Sequence, residues 1–259
     1  MRIRIDVDLH YKLLTPGPAI LAVEAAGAFG QEISNATIDF GPIEHLARVP
    51  GDEGIGEKII IRTAEDLRCH YTADIVVTRP RPVFERLTAM EMDEMSGDAL
   101  RYLLPSRYCQ AERFVPFANQ RFGDTAGGAK VMAIRNWVEQ RMDYVSGTSD
   151  GSTTAADTFL ARQGVCRDYA HLMIALCRAA QIPARIASVF APRVDPPDFH
   201  AVVEVYLDGT WHLIDPTGMA EADEMAIIAV GRDAVDVAFL TTVTATELQN
   251  QTVSVTRLG

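Results

Sequence analysis

A chain of 259 residues, 48% hydrophobic and 23% charged, has enough apolar material for a sizeable core and too little polarity for a disordered protein. Its formal charge of -11 offers no basic excess to neutralise phosphates, which excludes a general nucleic-acid binder. No run of about 18 apolar residues occurs, so neither a spanning helix nor a membrane partner is expected.

The N-terminus, Met1 to Asp6, alternates in polarity instead of forming an apolar leader, so a cytoplasmic chain with reduced thiols is expected. The four cysteines, Cys69, Cys109, Cys166 and Cys177, are widely spaced, with no C-x-x-C pair and no Cys/His cluster at zinc spacing. No metal or other cofactor is expected.

Residues 3–13 carry the cleanest periodicity. Ile3, Ile5, Val7, Leu9, Tyr11 and Leu13 alternate with Arg4, Asp6, Asp8, His10 and Lys12, the pattern of a strand with one wet face. Further strands are predicted over 19–25, 33–40, 58–63 and 67–78, separated by turn signals such as Pro50-Gly51-Asp52. Short strands without intervening helices predict an antiparallel β-sandwich over residues 1–82, closed by Arg79-Pro80-Arg81-Pro82. Residues 83–126 read as a connector with a short helix over 90–104. A second domain is expected over 127–259. It begins with helices from Gly128, over 157–162 and from Tyr169 to Ala180, and continues as strands over 184–191, 199–207, 210–215, 225–230, 235–243 and 252–257. The fold class is α+β.

One stretch stands out chemically. In Gly164-Val165-Cys166-Arg167-Asp168-Tyr169 a thiol sits where a helix begins, after a glycine that permits a sharp turn. Unpaired N–H groups and the positive end of the helix dipole favour a negative charge there, and a thiolate is a nucleophile. The plain alternative is a small buried apolar residue. A nucleophilic cysteine needs a base, and the base needs an orienting partner. Asp208-Gly209 is a preferred two-residue hairpin turn between two strands. That register puts Leu207 opposite Thr210, Tyr206 opposite Trp211 and Val202 opposite Asp215. His200 shares a face with Val202, so His200 and Asp215 become diagonal neighbours, with β-carbons about 7 Å apart or somewhat less. His212 falls on the other face. His200 as an ordinary strand histidine and Asp215 as a turn residue before Pro216 remain the alternatives at this point. His171 and Asp168 read as structural.

Together, Gly164-Val165-Cys166-Arg167-Asp168-Tyr169-Ala170, then Ile182-Pro183-Ala184-Arg185, His200-Ala201-Val202-Val203-Glu204-Val205 and Trp211-His212-Leu213-Ile214-Asp215-Pro216-Thr217 resemble the transglutaminase-like core. The resemblance spans about residues 128–218 and is closest to bacterial members, often called transglutaminase-like cysteine proteases. Residues 1–80 resemble the β-rich domain that commonly precedes this core in bacteria. The resemblance implies a papain/transglutaminase-like fold, with helices packed on an antiparallel sheet. It also implies Cys166 as nucleophile, His200 as general base and later acid, and Asp215 as the orienting carboxylate. Many members have Trp two residues after the histidine, whereas this chain has Val202, a change expected to reshape the floor beside the hairpin.

The implied chemistry is acyl transfer through a thioester. The Cys166 backbone N–H is one oxyanion donor, and Tyr144 and Gln163 are candidates for a second oxyanion or substrate contact. Hydrolysis of peptide or related amide bonds leads, with a peptide or protein substrate. Transfer to amines is the alternative, and a non-catalytic binding module that keeps the fold is the third reading.

Overall fold

The computed structural model describes residues 1–259. In it the alternation of the first residues becomes β1 (Arg2–Leu13), which buries Ile3, Ile5, Val7 and Leu9 and exposes the residues between them. Each of these burials stabilises the fold by about 1.5–3 kcal/mol. Five strands follow: β2 (Gly17–Leu21), β3 (Gln31–Asp39), β4 (His45–Pro50), β5 (Glu57–Thr63) and β6 (Asp66–Val77). β4 escapes the sequence reading because it is exposed along nearly its whole length and so carries no alternation.

Residues 83–126 contain short turns of helix, α1 (Gly97–Leu100) and α2 (Val115–Phe122). The helix expected over 90–104 is thus one turn of α-helix flanked by 3-10 turns, whereas α2 carries no expectation from sequence. The helical part continues with α3 (Gly127–Arg141), α4 (Ala155–Ala161) and α5 (Cys166–Ala179), and a short parallel pair joins β7 (Asp143–Tyr144) to β8 (Gln163–Gly164). The third sheet is built from β9 (Ala184–Phe190), β10 (His200–Leu207), β11 (Thr210–Ile214) and β12 (Ala226–Gly231), in the antiparallel order β11-β10-β9-β12. After it come α6 (Ala234–Val237), β13 (Leu240–Thr242) and β14 (Thr246–Leu258).

Helix α5 is buried on every side from Asp168 to Ala179, and it packs on β9 and β10. This is the helix-on-antiparallel-sheet arrangement of a papain/transglutaminase-like core, and the fold is α+β.

The N-terminal sheets have the orders β14-β1-β6-β3 and β13-β2-β5-β4. This corrects the sequence reading of 127–259 as one self-contained run. β13 and β14 cross back and complete the two N-terminal sheets. Period-two patterning marks a strand but not its partner, and here the free edges of β1 and β2 supply the address. The strand expected over 235–243 is likewise divided. Asp233 accepts a hydrogen bond from the Val235 N–H (3.2 Å) and starts α6, and only 240–242 remain extended. The larger of two apolar clusters, with 53 buried residues, runs from Ile3 and Ile75 through Phe190 to Trp137 and Leu176. The sandwich and the helical part therefore share one interior.

Candidate active site

Cys166 is the first residue of α5, with Val165 extended as the N-cap. Asp168, fully buried, accepts from the Val165 N–H (2.9 Å) and the Ser149 hydroxyl (2.5 Å), and Arg167 reaches its other oxygen at 3.3 Å. That carboxylate caps the helix within the same first turn as the thiol. Gly164 serves this contact, and not the sharp turn expected from sequence. A β-carbon there would lie 2.7 Å from the Asp168 side chain. Cys166 is half-exposed, whereas Cys69, Cys109 and Cys177 are buried and their pKa values are pushed up to about 12 by burial.

The hairpin register is the expected one. Leu207 pairs with Thr210 and Tyr206 with Trp211, and both turn residues, Asp208 and Gly209, have positive φ as a type I′ turn requires. His200 Nε2 lies 2.9 Å from Asp215 Oδ2, with both side chains buried. Asp215 is fastened further by the Thr217 N–H (2.8 Å), the Thr217 hydroxyl (2.8 Å) and the Ala220 N–H (2.9 Å). Burial alone would raise the Asp215 pKa; the His200 ring and the Thr217 donors outweigh it and hold it below the ordinary value. Burial opposes charging of His200, but the Asp215 hydrogen bond, then the Cys166 thiol, push its pKa up to about 10. His200 Nδ1 is buried and has no hydrogen-bond partner.

Cys166 and His200 line one cavity of about 560 Å³. An apolar part of its lining comes from α6, β13 and the segment between them, including Val235, Phe239 and Leu240. Tyr108 also lines the cavity and is held by two helices: its ring stacks on His171 of α5 at 4.9 Å, and its N–H donates to Asp233 at the start of α6 (3.1 Å). No group of three or more His, Cys, Asp or Glu side chains is disposed to hold a metal ion.

The sequence profile of the transglutaminase-like superfamily matches residues 117–216, which include Cys166, His200 and Asp215. The chain is 33% identical to a crystallised protein of Cytophaga hutchinsonii provisionally named a cysteine protease, with a TM-score of 0.94 over 100% of this chain and 91% of that one. It is 31% identical to an uncharacterized protein of Mycobacterium leprae over 195 residues, 68% of this chain and 70% of the relative. An uncharacterized protein of Mycobacterium tuberculosis is 29% identical over 127 residues, 43% of this chain and 40% of that relative. The chain belongs to the transglutaminase-like superfamily. That is a family of cysteine-dependent enzymes.

The remaining residues singled out in this transglutaminase-like chain divide clearly. Tyr144 is half-buried on β7, packs on Tyr169 at 5.9 Å, and has its phenol beside Cys166; burial, then its neighbour Cys166, raise its pKa. Gln163 is exposed on β8 and does not line the cavity, because the β7–β8 pairing turns it outward. His171 is structural: fully buried, it accepts from the Ala234 N–H (3.1 Å), and burial lowers its pKa to about 4. Val202 does not form the floor of the cavity. It is buried in a separate cluster with Val189, Leu213 and Met225. Sequence reasoning missed Thr217 and Asp198. The Asp-x-Thr spacing is a recognisable turn signal for the first, whereas nothing local marks the second.

Proposed function

We propose that the chain is a cysteine hydrolase of peptide or related amide bonds, acting through a thioester on Cys166. The observation that carries this reading is the buried His200–Asp215 pair, whose unpartnered ring nitrogen belongs to a residue lining the same cavity as the half-buried Cys166. Such an imidazole can hold the proton of Cys166, leaving the thiolate to attack the amide carbonyl. The carbonyl π electrons move to oxygen, and the Cys166 backbone N–H at the start of α5 is our candidate for the first donor to that oxyanion. The Tyr144 phenol, beside the same cysteine, is our candidate for the second donor. His200 then gives its proton to the leaving nitrogen, and the C–N bond breaks. Water, deprotonated by the same ring, attacks the thioester, releasing the acid and restoring the thiol. The apolar wall supports this reading because it dries the site around the developing charges.

The deciding experiment traps the acyl-enzyme from a broad panel of acyl substrates and identifies the modified residue by mass spectrometry. The expected result is a thioester on Cys166 and none in Cys166→Ala, with both proteins folded by circular dichroism. Adducts spread over the other cysteines, or none in the wild type, would sink the proposal. In the same assay, capture of a labelled primary amine on the acyl group would indicate transfer in place of hydrolysis.

A further inference from the structure

Asp198 plays no part in the chemistry above, yet it lines the cavity beside Phe199 and His200. One of its oxygens is fixed. Oδ1 accepts from the Phe199 N–H (2.8 Å) and from Gln251 Nε2 (2.8 Å), and Gln251 Oε1 in turn accepts from the Tyr11 hydroxyl (2.6 Å). Gln251 lies on β14 and Tyr11 on β1, so the N-terminal sheets reach into the site and set this carboxylate. The other oxygen, Oδ2, has no donor from the protein.

Neither arginine lining the cavity answers it; burial raises the Asp198 pKa, and the nearby His200 charge, itself paired with Asp215, works against that rise. The Arg167 guanidinium is committed to Ser149 Oγ (3.1 Å), the Asp150 carbonyl (2.9 Å) and Asp168 (3.3 Å). Arg107 is exposed and lies over the Tyr108 ring at 5.1 Å. Asp198 also lines a second cavity, of about 270 Å³, between the 191–198 loop and Val253–Thr256 of β14.

We propose that Asp198 is a specificity-determining residue that receives an ammonium group of the substrate next to the scissile amide, with Gln251 as its positioning residue. A carboxylate with one oxygen anchored and one open to the cavity suits a cation better than a neutral or anionic group. The inference rests on the acyl-transfer reading of Cys166.

The test uses three dipeptidyl chloroacetamides that alkylate thiols. One carries acetylated norleucine, one acetylated lysine, and one norleucine with a free amino terminus. Rates on Cys166 are measured at about 0.15 M salt, where distant charges are screened, and each is divided by the iodoacetamide rate of the same protein. At least one cationic probe is expected to exceed the neutral one by about tenfold or more, and which one does so separates a side-chain ammonium from an amino terminus. Asp198→Asn should bring that ratio close to one, and Gln251→Leu should lower it. Fast iodoacetamide reaction with no cationic preference, or a preference that survives Asp198→Asn, overturns the subsite alone. Slow iodoacetamide reaction in the wild type overturns the thiolate reading beneath it.

Discussion

The protonation of one ring organises the site. His200 holds its proton well above the ordinary value of 6.5, to about 10, so its charged form stabilises the fold fully below about 6.5 and loses that contribution as pH rises through about 10. Asp215 runs the other way. Its depressed pKa gives stability that is present above 3.8 and lost as pH falls through the lower folded value. Two results follow if His200 acts as acid and base. The kcat/KM profile should have an alkaline limb near pH 10, where the ring loses the proton it must deliver. Asp215→Asn should lower activity by about 10³–10⁴ and move that limb to lower pH. Steady-state kinetics across the pH range checks both, and an unmoved limb would show that Asp215 does not hold the charge on the ring.

Among the elements, α5 matters most, and its first turn depends on a glycine without unusual φ. Gly164→Ala would press a methyl group into the Asp168 carboxylate and disturb the cap that it makes with Val165 and Ser149. We expect a loss of about 1–3 kcal/mol by urea denaturation, together with slower alkylation of Cys166 by iodoacetamide. An unchanged midpoint would mean that the first turn yields freely.

This element also shows what a sequence reveals and what it conceals. β1 and the β10–β11 hairpin were legible because their alternation and their Asp-Gly turn are local signals, and the hairpin register brought His200 to Asp215. The partners of β14, the role of Gly164 and the position of Asp198 were not. Each depends on residues that meet only after folding, from Asp168 four positions away to Tyr11, linked through Gln251 at a separation of 240. Exposed β4 shows the same limit from another side, since a strand that buries almost nothing leaves no pattern to read.

On the scale of the whole molecule, the shared core and the returning strands tie the parts together. Glu224, buried, binds Arg193 of the third-sheet region and Arg257 of β14 (2.5 Å). Arg185, on β9, pairs with Glu204 (2.7 Å) and with Glu53 from the sandwich (2.6 Å). Such wiring predicts one calorimetric unfolding transition in place of two, with equal calorimetric and van't Hoff enthalpies. Removal of residues 240–259 strips an edge from each N-terminal sheet, and that variant should lose the transition altogether. Two separated transitions, or a truncated protein that melts like the parent, would argue for independent units.

The pairing of β1 with β14 also has a cost during biosynthesis. A ribosome adding about 5–20 residues per second needs tens of seconds to pass from the first of these strands to the second. Throughout that interval the nascent chain displays an apolar ribbon with an open hydrogen-bonding edge, an invitation to pair with a neighbour. Chaperone occupancy early in translation, and inclusion bodies when expression outruns it, are the cellular signatures to expect from a protein whose opening residues wait so long for their mate.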